Sequence, residues 1–119
     1  MLVETFEAAC KERAFDPSTI IPDCSFYPEE HRNALISMAK TFIVVDVLND
    51  GWKPNWSDDE YKWELYLDLS GAGFRLGTVA NRFSLSFVGS RLVFKSKAIA
   101  LHAAKYFEDL FKEWMTFNQ

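Results

Sequence analysis

His31 and His102 are the two histidines of the chain, and histidine is the side chain whose charge changes most readily near neutral pH. They stand far apart, each in a segment expected to be helical, with no Cys or carboxylate at metal-ligand spacing. Cys10 and Cys24 lack the CxxC spacing of a redox or zinc motif. Ser90 lies in Gly89-Ser90-Arg91, which is not the GxSxG elbow of a hydrolase. The five glycines form neither a GxGxxG turn nor a phosphate loop. Asp58-Asp59-Glu60 lacks the alternating oxygen ligands of a calcium loop. These spacings indicate no catalytic residues, no metal and no cofactor, and the chain is expected not to be an enzyme.

Binding chemistry is better represented. The chain carries a net charge of −4, with 17 acidic and 13 basic residues. Between positions 69 and 107, however, there is no acid at all. Arg75, Arg82, Arg91, Lys95, Lys97 and Lys105 fall in that stretch, so sign is segregated along the chain. Arg82, Arg91, Lys95 and Lys97 form the candidate basic patch. Lys95 and Lys97 flank Ser96, at a helix start where the dipole disfavours cations. Such a patch suits an acidic protein surface or, as the alternative, a single-stranded nucleic-acid backbone. It could equally pair with Asp58, Asp59, Glu60, Glu64 and Asp68 inside the fold. The net negative charge and the lack of an RNA-recognition or helix-turn-helix motif place the protein partner first. A second candidate is Trp52-Lys53-Pro54-Asn55-Trp56, where Trp52 and Trp56 flank a rigid proline in the composition favoured at interaction hot spots. Both indoles could instead fold back over the end of a neighbouring helix.

The elements that must position these residues follow from periodicity. Leu2, Phe6, Ala9 and Cys10 recur at helical spacing, and a first helix is expected over residues 2–14. Asp16-Pro17 closes it, and a connection with Pro17 and Pro22 follows. Pro28 opens a second helix that runs to Asn49, with Glu29 and Glu30 at its positive end. The run 42–48, broken only by Asp46, makes this the buried central helix, with Phe42 in the core. Gly51 is suited to a left-handed cap. The period then changes to two. Trp63, Leu65 and Leu67 alternate with Lys62, Glu64 and Tyr66, as in a strand with one buried face. A weaker strand is expected through Phe74 and Leu76. Clearer ones are expected through Phe83, Leu85 and Phe87 and through residues 91–94. Short turns between them imply antiparallel pairing. Ser96 caps a single long helix whose stripe, Ile99, Ala103, Phe107, Leu110 and Trp114, continues to Met115.

The expected fold is therefore one α+β domain over residues 1–119. Two helices come first, then a three- to four-stranded antiparallel sheet and one long C-terminal helix. No run approaches the ~18 apolar residues of a membrane span, and residues 1–10 lack the basic and apolar regions of a secretory signal. A cytoplasmic protein with reduced thiols is expected.

Several segments together carry a resemblance: FEAACK at 6–11, PEEHR at 28–32, LNDGWKPNW at 48–56, VGSRLVFKS at 88–96 and FEDLFK at 107–112. With them the chain resembles a family of small uncharacterised proteins of Bacteroides-type gut bacteria and their phages and prophages. The resemblance implies a compact domain associated with mobile elements, in the cytoplasm of a bacterial host, and brings no catalytic residues with it. A non-enzymatic protein-interaction domain is the expected function.

Overall fold

The computed structural model describes residues 2–57, 60–68, 75–82, 86 and 88–117. The elements run α1 (Phe6–Glu12), α2 (Glu29–Leu48), β1 (Lys62–Asp68), β2 (Arg75–Arg82), α3 (Lys97–Tyr106) and α4 (Glu108–Met115).

Local chemistry explains the helix ends. Thr5 Oγ1 accepts the Ala8 amide at 3.0 Å, so α1 begins at Phe6, later than its apolar spacing implies. Arg13 caps its C-terminus and Ala14 turns left-handed at φ 57°, which ends the helix before the proline does. After α2 the chain reverses through two left-handed residues, Asp50 (φ 53°) and Gly51 (φ 76°). Only the second is a residue free of Cβ strain there. Ser96 Oγ accepts the Ile99 amide at 3.2 Å and starts α3.

The expected α+β architecture is overturned. Four helices dominate, and the strand pairing among the described residues is one antiparallel ribbon, β1 with β2. The segment expected as a last strand, 91–94, contributes a single bridge. Trp63 and Phe94 exchange both backbone hydrogen bonds, at 3.0 and 2.7 Å. Phe83, Leu85 and Phe87 lie outside the described residues. The long C-terminal helix is also two helices: Phe107, at φ −123° and ψ 21°, breaks the path between α3 and α4.

The core gathers around α2. Val44, Val45 and Leu48 meet Phe6 and Cys10 of α1, Ile99 and Ala103 of α3, and Phe111 of α4. A buried polar ladder joins α2 to α4. Trp114 Nε1 donates to Thr41 Oγ1 (3.1 Å), Thr41 Oγ1 to the Ser37 carbonyl (2.8 Å), and Ser37 Oγ to the Leu110 carbonyl (2.7 Å). Each hydroxyl is satisfied, which is the condition for polar groups to sit in a helix interface without a penalty. His102 serves structure as well: its Nε2 donates to the Val3 carbonyl at 2.7 Å and ties the N-terminal segment to α3.

Two burial expectations fail. Phe42 is not a core ring; it is 39 % exposed on α2. The polar side of β1 is not solvent-facing either, since Lys62 and Glu64 are both 0 % exposed. Among the described residues no helix is long and apolar enough to cross a membrane.

Candidate functional site

The polar side of β1 is covered by the two segments that build the site. From one direction comes the 52–56 loop, whose Trp56 ring lies 5.5 Å from the Lys62 ammonium. From the other comes the turn after Ser86. Its hydroxyl donates to Glu64 Oε1 and accepts the amides of Val88 (3.1 Å) and Gly89 (2.8 Å). One hydroxyl thus ties a buried carboxylate to a tight turn, which Gly89 completes at φ 77°. The two segments are then joined, since Trp56 Nε1 donates to Ser90 Oγ at 2.6 Å.

A third tie comes from α2. Asn49, 4 % exposed at the C-cap, donates from Nδ2 to the Val93 carbonyl (2.8 Å) and accepts the Lys95 amide on Oδ1 (3.1 Å). The turn bearing Ser90 and Arg91 is therefore held on both sides. Its position brings the Arg91 guanidinium over the Phe42 ring, 5.9 Å from the centroid. This is the range of a cation–π contact.

Between α2, the 52–56 loop and the 88–92 turn lies a cleft of about 300 Å³. Phe42 and Asp46 line it from α2, Trp52 and Lys53 from the loop, Ser90 and Arg91 from the turn. The Trp52 indole is oriented by its Nε1, which donates to Glu60 Oε1 at 3.1 Å. Asp46 is already engaged by Arg13 Nε at 3.3 Å. Arg91 and Lys53 make no ion pair among the described residues. The cleft therefore offers two aromatic surfaces and two cations that make no ion pair among the described residues.

The structure treats the expected site residues unequally. Trp52 and Arg91, proposed for separate surfaces, line the same cleft. Trp56 is a brace behind it. Lys95 is exposed, with its backbone bonded to Asn49 on the cleft floor, and Lys97 is exposed at the first position of α3. Neither makes an ion pair among the described residues. Arg82 is placed by its backbone, opposite Lys62 at the end of the ribbon. Asp58 and Asp59, the acids suggested as internal partners, lie outside the described residues. Glu60 and Glu64 are engaged by Trp52 and Ser86. Sequence reasoning missed Phe42, Lys53, Asn49 and Ser86. Phe42 alone had a signal, as the first ring of an apolar run too wide for one buried face.

Titration is perturbed outside this site. Burial pushes the Cys10 thiol above its ordinary value, helped by the nearby charges of Glu7 and Asp16. Hydrogen bonds from Ser18 hold the Asp16 carboxyl below its usual range, and those from Ser25 do the same to Asp23. Among the described residues no group of three or more His, Cys, Asp or Glu is placed to hold a metal ion. Comparison with protein-family models, curated proteins and solved structures returned no match.

Proposed function

We propose that the chain is a small non-enzymatic interaction domain that docks a segment of another protein in this cleft. The setting suggested by the sequence resemblance is a phage or mobile element in the cytoplasm of a bacterial host. The observation that carries the reading is the convergence of Trp52, Phe42 and Arg91 on one concave surface. Tryptophan and arginine dominate the energetics of protein interfaces because each buries a large surface and still offers directed polar contacts. Three further features support binding as the role. The cleft walls are pinned by the hydrogen bonds of Asn49, Trp56 and Ser86, so little order need be gained when a partner arrives. Arg91 and Lys53 give it a positive character in an otherwise acidic molecule. That segregation steers association and selects acidic partners.

The test places the photoreactive amino acid p-benzoylphenylalanine at position 53, on the exposed rim, and illuminates the producing cells. A discrete protein adduct is expected. It should fall at least tenfold when Trp52→Ala or Arg91→Glu is added, and persist with Lys105→Glu on the outer face of α3. An adduct unchanged by both cleft substitutions would sink the reading. Retardation of labelled single-stranded DNA that weakens steeply with salt and is lost in Arg91→Glu would replace it with the nucleic-acid alternative.

A further inference from the structure

The cleft is one end of a longer groove. A second depression of about 410 Å³ shares Phe42, Ser90 and Arg91 with it and adds Met38 and Val88. A third, of about 290 Å³, shares Met38 with the second and continues to Leu35, His31, Tyr27 and Trp114. Along α2 the accessible floor is therefore His31, Leu35, Met38 and Phe42, at steps of four, three and four; Val45 and Asn49 continue the line but are buried. That spacing is the seam one helix presents to another. The adjoining flank of α2, with Ser37, Thr41, Val44 and Leu48, is the one buried in the protein. At a rise of 1.5 Å per residue the accessible seam, from His31 to Phe42, is about 17 Å long, three turns of helix.

We infer that the occupant of the site is an acidic amphipathic α-helix of a partner protein, lying along α2; the inference rests on the interaction reading above. Three observations select this occupant. The accessible seam repeats at helical spacing over three turns, which matches the i, i+3, i+4, i+7 anchors of a helix laid in a groove. The apolar floor is walled by Trp114 at one end and by Trp52 and residues 88–92 at the other, so a ridge of side chains has a furrow to enter. The charge is positive at the Asn49 end, where Lys53 and Arg91 have no ion pair among the described residues. Carboxylates on the flank of the incoming helix meet that charge.

A second copy of this chain fits less well. Its acidic helix, α4, buries Phe111 in its own core and holds Trp114, partly buried, as a wall of this same groove. The exposed large apolar residues of α3, Leu101 and Tyr106, stand among Lys97 and Lys105, which would oppose Arg91 and Lys53. A different protein therefore fits this groove better than either C-terminal helix of a second copy.

The experiment uses the full chain and three fluorescein-labelled 18-residue peptides, compared by anisotropy. One is amphipathic with leucines at heptad spacing and a glutamate flank. The second carries lysines on that flank, and the third scrambles the first at constant composition. Tightest binding is expected for the first, with a rise in helical circular dichroism on mixing. The scrambled peptide should bind at least tenfold more weakly. Arg91→Glu should weaken the acidic peptide at least tenfold and strengthen the basic one. Met38→Glu, half-buried in the groove floor, should weaken both. Equal binding of the scrambled peptide overturns the helical occupant while leaving the cleft reading standing. So does the light-induced adduct at position 53 without affinity for any peptide. A dimer in sedimentation that Met38→Glu dissociates overturns it in favour of a second copy. Loss of the adduct as well takes down the underlying reading.

Discussion

Asn49 ends α2 with its side chain turned inward, where its amide donates to the Val93 carbonyl and accepts the Lys95 amide. Two backbone groups of another segment depend on it, the Val93 bond buried and the Lys95 bond partly so. Replacing it by Ala leaves a donor and an acceptor unmet, each costing about 1–3 kcal/mol when buried. Asn49→Ala is expected to lower stability by about 2–3 kcal/mol in urea titration, and Asn49→Asp to lose the donated bond specifically. A loss under about 0.5 kcal/mol would show that water replaces the amide and that the 88–92 turn is held otherwise. None of this was legible in the sequence. Asn49-Asp50-Gly51 reads as a helix stop, and it is one, but a stop signal does not reveal where the side chain goes. Phe42 illustrates the converse. Its place in an apolar run suggests the core, yet a run apolar on every side covers one face more than α1, α3 and α4 can bury.

At the scale of elements, what could be read was whatever is decided locally. The bounds of α2 and the Ser96 cap depend on a proline, a glycine and one hydroxyl, all within a turn of the position they control. The α3–α4 break has no such marker. Ile99, Ala103, Phe107, Leu110 and Trp114 keep helical steps across it, because one residue out of helical conformation leaves the spacing intact. The strand pattern failed for another reason. Alternation shows that the two sides of β1 differ, not which one is dry, and Trp56 and Ser86 cover Lys62 and Glu64 on the polar side. The ribbon thus has less solvent-facing surface than the pattern implied, and the basic residues that matter lie on the turn after it. The cap itself can be measured. Ser96→Ala removes the side-chain acceptor of the Ile99 amide in the first turn of α3, with Lys97 already unfavourable there. A loss of about 1 kcal/mol is expected, while Ser96→Asp should retain or improve stability by adding a negative charge beside the dipole. Equal destabilisation by both substitutions would mean that Ser96 matters for packing rather than for capping.

For the molecule as a whole, Cys10 is a reporter placed by the fold. It is fully buried at the centre of α1, against the core that unites α1, α2 and α3, whereas Cys24 is partly exposed on the connection to α2. Both thiols are free. An alkylating reagent should therefore modify Cys24 in the native state and reach Cys10 only when the core opens. Its rate there should rise with denaturant as steeply as global unfolding does. The thiolate form adds a pH dependence. Burial raises the Cys10 pKa in the folded state, with the charges of Glu7 and Asp16 acting in the same direction. The unfolded thiol ionises near its ordinary value of about 8.5. Below that pH both states hold the proton and the full stability is present. As pH rises from there through the raised folded value, the unfolded state loses its proton first and stability falls. Urea midpoints measured between pH 7 and 10 should decline for the natural chain, and the Cys10→Ala variant, though less stable at pH 7, should show a shallower decline. Parallel slopes would assign the alkaline loss to other groups. Rapid native-state labelling of Cys10 would contradict the buried position of α1 and, with it, the shared core that holds α2 and its groove in place.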